Sequence, residues 1–402
     1  MNNKFRNKIK ALSLFANVGV AESYLQDVGV EVVIANELIE KRARFYRHLY
    51  PKVNEQACID CKLCQKLCPA LNTKPLSHPI KAYAAFAKSE SEYKSSTSGG
   101  MAATLSRYII SKGGVVYGCL VDNEGKQADT LDIRHVRVSE MNNLYRLKGS
   151  KYVQSRITEI LPHLVDDVKS GIPVLFIGTP CQVAAVRNLF KVEPDNLYLV
   201  DLICHGTPSL SLLKNHISRK IGNKHFDDVK FRDGNSMYIV LLLQGKTIYS
   251  QSLANPRYKE EYFNAFFDGY TYRDSCYTCH FATSDRISDI TIGDFWGLGR
   301  EYDCSEILPH ENGISVVLPV TSKGQKLIAE IKHQLNTYER PLEEAISGND
   351  QLQYPKKQDR QIRLFRKLSI VLPFHVSYKL TIIELKSERL LRRVKNKIKR
   401  II

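Results

Sequence analysis

No long apolar run occurs in the 402 residues. The longest uninterrupted stretches, such as Ile239–Leu243, fall far short of the roughly 20 apolar residues a spanning helix needs. A secretory leader is not read at the N-terminus either, because the first turn is polar and basic and Lys8 and Lys10 interrupt the approach to a short apolar stretch. Acidic residues are in deficit: 42 Asp and Glu face 58 Lys and Arg, a formal charge of +16. Such an excess invites a polyanion, whether nucleic acid, an anionic membrane surface or a phosphorylated ligand. The chain lacks a helix-turn-helix, a zinc-finger spacing and any basic run interleaved with aromatics, so nucleic acid is not favoured. Without a secretory signal, ten cysteines argue for a reducing, cytoplasmic compartment where thiols serve metals or redox work. The length allows at least one full core and two or three domains.

Four of those cysteines stand on one short loop. Residues 58–69 read Cys58-Ile-Asp-Cys61-Lys-Leu-Cys64-Gln-Lys-Leu-Cys68-Pro69, the C-x2-C-x2-C-x3-C-P run of a bacterial ferredoxin loop. Thiolates so spaced can wrap a [4Fe–4S] cubane, and the proline, lacking an N–H, ends the turn. The competing readings are a zinc knuckle and a disulfide staple. Zinc sites pair C-x2-C with a distant second pair, and a staple suits a small secreted chain. The spacing therefore favours the cluster and, with it, electron transfer.

Residues 8–50 follow another logic. Ala11–Phe15 is an apolar run ending in Ala16-Asn17-Val18-Gly19. A helical stretch, Ala21–Asp27, and a second strand, Glu31–Ala35, lead to Asn36-Glu37. Strand, small-residue turn, helix, strand and terminal acid make the first half of a nucleotide-binding sheet, the acid being placed for ribose hydroxyls. From Leu12 to Pro51 the string resembles the S-adenosylmethionine-binding start of DNA cytosine-C5 methyltransferases. By that resemblance Phe15 and Gly19 belong to the cofactor loop and Glu37 to the ribose contact. Pro180-Cys181-Gln182, Glu311-Asn312-Gly313 and Gln358-Asp359-Arg360 echo later motifs of those enzymes in order but not in spacing. Three-residue matches arise easily by chance, and the resemblance stops near Tyr50.

Further along, two apolar runs end in loops holding Cys and Gly: Val174–Ile177 before Gly178-Thr179-Pro180-Cys181-Gln182, and Leu197–Ile203 before Cys204-His205-Gly206-Thr207-Pro208-Ser209. Helical patterns follow each, over Val183–Phe190 and Leu210–Lys220. They read as parallel strands joined by right-handed crossovers, whose carboxyl ends are where such sheets hold ligands. Cys276-Tyr-Thr-Cys279 alone is a zinc half-site; with Cys181 and Cys204 it would make a second four-thiolate set. Buried inert thiols are the plain alternative for Cys181 and Cys204, and Cys119 and Cys304 read as structural or free.

Ser95-Ser96-Thr97-Ser98-Gly99-Gly100 precedes a helical stretch, Met101–Ser111. Its backbone makes either a phosphate site or an ordinary Ser/Thr N-cap. Lys148 and Lys151 flank a Gly-Ser turn, as phosphate partners or as a solvated pair. Asp294 sits in Ile292-Gly293-Asp294-Phe295-Trp296-Gly297. The glycines there admit a flat ligand, and Trp296, the one tryptophan, could wall a planar ring or simply fill core. Asp289 reads as a turn residue.

From Tyr50 onward these blocks, with Lys148-Gly149-Ser150-Lys151-Tyr152-Val153-Gln154 and Ser288-Asp289-Ile290, stand in the order of the coenzyme F-420 hydrogenase/dehydrogenase beta-subunit family. The chain resembles that family over about residues 50–365. Its members resemble flavin- and Fe–S-containing reductases; some act on the deazaflavin coenzyme, others stand in bacterial surface-polysaccharide gene sets. The resemblance implies FAD or FMN on Ser96, Thr97, Ser98, Gly99, Gly100, Lys148, Lys151, Asp294 and Trp296. It implies one [4Fe–4S] cluster on Cys58, Cys61, Cys64 and Cys68, and a second on Cys181, Cys204, Cys276 and Cys279. His205 and Asp294 are the catalytic candidates. Relatives commonly carry a second ferredoxin run upstream; here the methyltransferase-like segment takes its place, leaving Cys68 without its usual partner cysteines.

After Pro373 the chain turns into a basic helix pattern, with Leu391, Val394, Ile398 and Ile401 on one face. Nine Lys and Arg face Glu384 and Glu388 from Val376 to Ile402. A basic amphipathic helix suits an anionic membrane surface at the inner face, or a partner. The expected chain is α/β. A βαβ-like fragment (1–50) and a ferredoxin-type region (51–80) precede a mixed or parallel-sheet flavin domain (81–345) and a C-terminal extension (346–402). The expected activity is an iron–sulfur flavoprotein oxidoreductase served by a ferredoxin-like donor or a partner oxidoreductase subunit. A methyltransferase-derived chimera and a non-catalytic electron-transfer subunit are the alternatives.

Overall fold

The computed structural model describes residues 68–233, 236–252, 260–307 and 312–398. The βαβ-like segment expected over 1–50 and the thiols of Cys58, Cys61 and Cys64 lie outside the described residues. Cys68 opens the described chain, buried, its carbonyl accepting from the amides of Leu71 and Asn72.

Strand β1 (Ala82–Ala87) leads into helix α1 (Glu90–Lys94), where the Ser89 hydroxyl accepts from the amide of Glu92. Helix α2 (Met101–Ser111) buries Met101, Leu105 and Ile109, the i, i+4, i+8 stripe of an amphipathic helix. Next come β2 (Val115–Asp122), β3 (Asp132–Val138), α3 (Leu161–Lys169), β4 (Val174–Gly178), α4 (Pro180–Asn188), β5 (Leu197–Leu202) and α5 (Leu210–Ile221). A three-stranded antiparallel meander follows: β6 (Asp228–Asp233), β7 (Ser236–Leu243) and β8 (Lys246–Ser252). The rest comprises α6 (Glu261–Phe267), α7 (Asp274–Tyr277), β9 (Ile290–Asp294), β10 (Ser315–Pro319), α8 (Ser322–Ile331), β11 (Leu335–Arg340), α9 (Leu342–Ser347), α10 (Arg360–Val371) and α11 (Phe374–Ile398).

The main sheet has eight strands in the order β11-β1-β10-β9-β5-β4-β2-β3. Four consecutive strands within it, β9-β5-β4-β2, are parallel: β2 with β4, β4 with β5 and β5 with β9. The β4–β5 pairing sets Val174 opposite Leu197 and Gly178 opposite Asp201, the two crossover strands expected from their apolar runs. Both faces of these strands are covered, as a parallel sheet requires. Phe176, Leu197 and Leu199 enter one core cluster with α3 and α4, while Leu175, Val200 and Ile292 enter another with α2 and α8. Antiparallel strands close both flanks, so the sheet is mixed.

Residues beyond 345 share a core with the body of the protein. Ile362 and Phe365 of α10 and Tyr378 and Ile382 of α11 pack against Ala265, Phe266, Tyr270, Tyr272 and Tyr277. The helical run expected after Pro373 is α11. Among the described residues no helix is long and apolar enough to cross a membrane.

Candidate functional site

Parallel β4, β5 and β9 all end at one edge of the main sheet, and the chemistry-bearing loops gather there. After β4 comes Thr179-Pro180-Cys181. Thr179 caps α4 in a capping box with Gln182, and its hydroxyl lies 3.2 Å from the Cys181 sulfur. After β5 comes Cys204-His205-Gly206-Thr207. Gly206 has φ +125°, and a Cβ there would meet the Tyr272 ring at 2.6 Å, so only glycine lets this loop lie on Tyr272. The Arg273 amide donates to the Thr207 carbonyl at 3.1 Å, tying the Cys276–Cys279 segment to the same loop. Arg366 of α10 donates to the carbonyl of Tyr272 at 3.1 Å and pairs with Asp274, holding α7 from outside.

Cys181, Cys204, Cys276 and Cys279 thereby line one cavity of about 300 Å³, with His205, Gln154 and Lys356 on its wall. All four are free thiols. Burial pushes the Cys181 thiol up to about 12, with Cys279 and Cys276 adding to the shift against the Thr179 hydroxyl. Burial, then Cys276 and Cys181, push Cys204 well up, and burial raises Cys279. Without a metal Cys181, Cys204 and Cys279 are protonated at pH 7; a bound metal would displace those protons.

Among the described residues no group of three or more His, Cys, Asp or Glu side chains is arranged to hold a single metal ion. Zinc needs its donors converging to about 2.0–2.3 Å from one point. An iron–sulfur cluster places its own iron and sulfide atoms between the thiolates, so four thiols around a cavity fit a cluster better than the zinc half-site. The chain just beyond Cys68 borders the same place, for Ala70 lines this cavity.

The same edge carries the expected flavin residues. Asp294 ends β9 opposite Ser315 of β10, and Ser315 lies opposite Ala85 of β1. Ser98 accepts from the Ser315 hydroxyl at 3.4 Å. Gly99 lies so close to β1 that a Cβ would sit 2.2 Å from the Ala85 carbonyl oxygen. Gly100, at φ +80°, starts α2 with no side-chain cap, leaving that helix's first amides for an anion. This favours the phosphate reading over the Ser/Thr N-cap. Ser96 donates to the Glu92 carbonyl at 2.7 Å, and Thr97 and Ser150 hydroxyls are 3.3 Å apart. Trp296, at 45% exposed, is not core filler.

The two lysines are more tied down than a solvated pair. Lys148 pairs with Glu92 and donates to Ser95 at 2.6 Å. Lys151 donates to the carbonyls of Leu147 and Lys148 at 3.0 and 2.7 Å, and burial lowers its pKa. Burial also pushes the His205 imidazole down, against Asp294 and Asp350. It is therefore neutral at pH 7, one ring nitrogen able to donate and the other to accept.

Sequence reasoning missed Arg232 and the role of Tyr152. Arg232, at the far end of β6, donates to Asp294 at 2.5 Å, and its side chain is buried. Burial raises the Tyr152 phenol, while the nearby Arg232 guanidinium works against that shift. No motif surrounds Arg232, and only its burial against a carboxylate marks it. Gln154, to which the sequence motif assigns no role, accepts from Thr207 at 2.7 Å and joins its block to the Cys204 loop. Asp289 is no turn residue. It is buried, accepting from the Leu199 amide and the Thr321 hydroxyl.

Comparison with known proteins gives likenesses of three kinds. Among solved structures, the F420-reducing [NiFe] hydrogenase complex from Methanosarcina barkeri, studied as a xenon derivative, is similar at 17% identity over 68% of this chain and 91% of that one, with a TM-score of 0.44. Among curated proteins, the type II methyltransferase M1.HgaI of Avibacterium volantium is 46% identical over 46 residues, 11% of this chain. The chain spans only 13% of that enzyme's length. The stretch from 173 to 345, which holds all four cavity thiols, His205 and Asp294–Trp296, matches the family defined by the C-terminal region of the coenzyme F420 hydrogenase/dehydrogenase beta subunit.

Proposed function

We propose that this protein is an iron–sulfur flavoprotein oxidoreductase. It would take electrons from a ferredoxin-like donor or a partner subunit and deliver them to a deazaflavin-like or other unsaturated acceptor. The observation that carries the reading is the gathering of four thiols, the Ser-Gly loop before α2, Asp294 and Trp296 on one sheet edge. When bound, the clusters would supply one-electron storage and the flavin hydride chemistry. Cys181, Cys204, Cys276 and Cys279 would hold one cluster and the Cys58–Cys68 loop the other. The start of α2 would take a flavin phosphate, and Trp296 would wall a planar ring. Arg232 orients Asp294, and neutral His205 stands between the thiol cavity and that carboxylate, where it can hold or pass a proton.

The test is iron, sulfide, zinc and flavin analysis of anaerobically purified protein. Iron, sulfide and flavin should co-purify, and Cys276→Ser with Cys279→Ser should remove roughly one cluster's four irons. Stoichiometric zinc without iron would overturn the assignment.

The methyltransferase likeness favours a second reading, DNA methylation, which the site argues against. Cys181, the nucleophile that reading needs, lines the thiol cavity beside Cys279 and Cys204. Calorimetric titration with S-adenosylmethionine should show weak or no binding; tight binding abolished by Glu37→Ala would revive the alternative.

A further inference from the structure

We propose that the outer face of the α10–α11 hairpin docks on an anionic phospholipid bilayer. Helix α10 turns Ile362 and Phe365 into the core. It leaves Arg363, Lys367, Ile370 and Val371 exposed, spaced i, i+4, i+7 and i+8 and so on one face. Helix α11 likewise buries Tyr378, Thr381 and Ile382 and exposes Lys379, Leu380 and Ile383. Val371 is 75% exposed and Ile383 58%, with Ile370 and Leu380 also above two-fifths. Four open aliphatic side chains on two adjoining helices exceed the scattered exposure ordinary surfaces show.

The charge around them points to the occupant. From Lys356 to Ser387 the sequence holds eight Lys and Arg against two acids, and both acids are engaged. Asp359 caps α10 by accepting from the Ile362 amide at 2.8 Å, and Glu384 bridges Arg360 at 2.5 Å. The sequence after Glu388 adds seven Lys and Arg and no acid. Aliphatic side chains within a basic field are what an anionic headgroup layer recognises: the apolar groups enter the acyl boundary and the cations meet the phosphates. Nucleic acid would make no use of Val371 and Ile383, and an apolar protein partner would not call for the charge. The proposed contact is a peripheral one. Nothing in it depends on the redox reading.

The experiment is co-sedimentation of the full chain with vesicles of phosphatidylglycerol and phosphatidylcholine, against phosphatidylcholine alone, at low and high salt. Binding should require phosphatidylglycerol and weaken with salt. Each basic residue near an anionic surface is worth about fivefold in partitioning, so Lys367→Gln with Lys379→Gln should cost about 25-fold. Val371→Ser with Ile383→Ser should remove most of the binding that survives high salt. Equal binding to both vesicle types, no binding at low salt, or variants that bind like the parent would each overturn the proposal. So would salt-sensitive capture of a DNA duplex by a chain that ignores the vesicles. The substituted side chains are exposed, and an unchanged far-ultraviolet dichroism spectrum checks that the fold is kept.

Discussion

Replacing Arg286 with methionine should unlock the segment that carries Cys279, in a way that depends on pH. Arg286 is among the largest fully buried side chains, and it faces Asp201, also fully buried, at 3.0 Å. Its other donors meet the Thr291 hydroxyl at 3.1 Å and the carbonyls of Phe281 and Thr283 at 2.9 and 3.1 Å. One guanidinium therefore joins β5, β9 and the turn after the C-x2-C pair. Breaking a buried pair by removing one partner costs about 3–5 kcal/mol, because the other charge stays behind uncompensated. Asp201 can escape by taking up a proton. Neutralising a carboxyl with an unfolded pKa near 3.9 costs about 4 kcal/mol at pH 7 and about 1.5 kcal/mol at pH 5. The sign follows directly: a carboxyl whose folded pKa is raised binds its proton more tightly when folded. Its contribution to stability therefore falls as pH rises from about 3.9 to the folded value. In the parent protein burial already raises Asp201 despite Arg286, so the parent has the same sign, more weakly. Urea unfolding followed by Trp296 fluorescence at pH 5 and pH 8 measures the effect. Arg286→Met should lose more at pH 8 than at pH 5, and Asp201→Leu in the same chain should restore most of the loss. A variant within about 1 kcal/mol of the parent at both pH values would refute the reasoning.

Gly99→Ala should disturb the loop before α2, since its Cβ would meet the Ala85 carbonyl oxygen at 2.2 Å and the Ser315 amide at 2.8 Å. A loss of about 1–3 kcal/mol with reduced flavin content is expected; parent-like flavin occupancy would count against that placement. If the proposed assignment holds, replacing Cys58, Cys61 and Cys64 together with serine should remove about four irons while flavin remains, because the proposed cluster and flavin would use different loops. Iron content equal to the parent's would sink that assignment. His135, buried and bonded to the Ile177 carbonyl and Ser155, has its pKa lowered to about 4, chiefly by burial. A histidine depressed on folding destabilises as pH falls below its unfolded value near 6.5, by about 3 kcal/mol once pH reaches 4. His135→Gln should flatten that part of the urea-midpoint profile, and an unaltered slope would show that another group governs it.

Local pattern determined a good deal of this protein. Val174–Ile177 and Leu197–Ile203, apolar on every residue or nearly so, can only be strands covered on both faces, and β4 and β5 are those strands. Met101–Ser111 and Leu210–Lys220 carry a helical period, and α2 and α5 lie there. The cysteine spacings, the Ser-Gly loop and the Gly-flanked Asp294 could be read as ligand chemistry because those properties are local. What no local pattern holds is adjacency. β1, β10 and β11 join the main sheet from opposite ends of the sequence, which brings Ser98 to Ser315 and Asp294. Arg232 enters from a hairpin whose residues look like any surface strand; its meaning lies in the carboxylate it meets. The extension beyond residue 345 showed only a basic helical pattern in sequence, and the structure adds that Ile362, Phe365, Tyr378 and Ile382 complete a core with Tyr270 and Tyr272. The sequence by itself determined which groups could bind metal, phosphate or a flat ring, since that depends on side-chain type and short spacing. Sequence order already suggested that Cys181, Cys204, Cys276 and Cys279 form one set; tertiary structure decided that they line a shared cavity, because burial and long-range strand order bring them together.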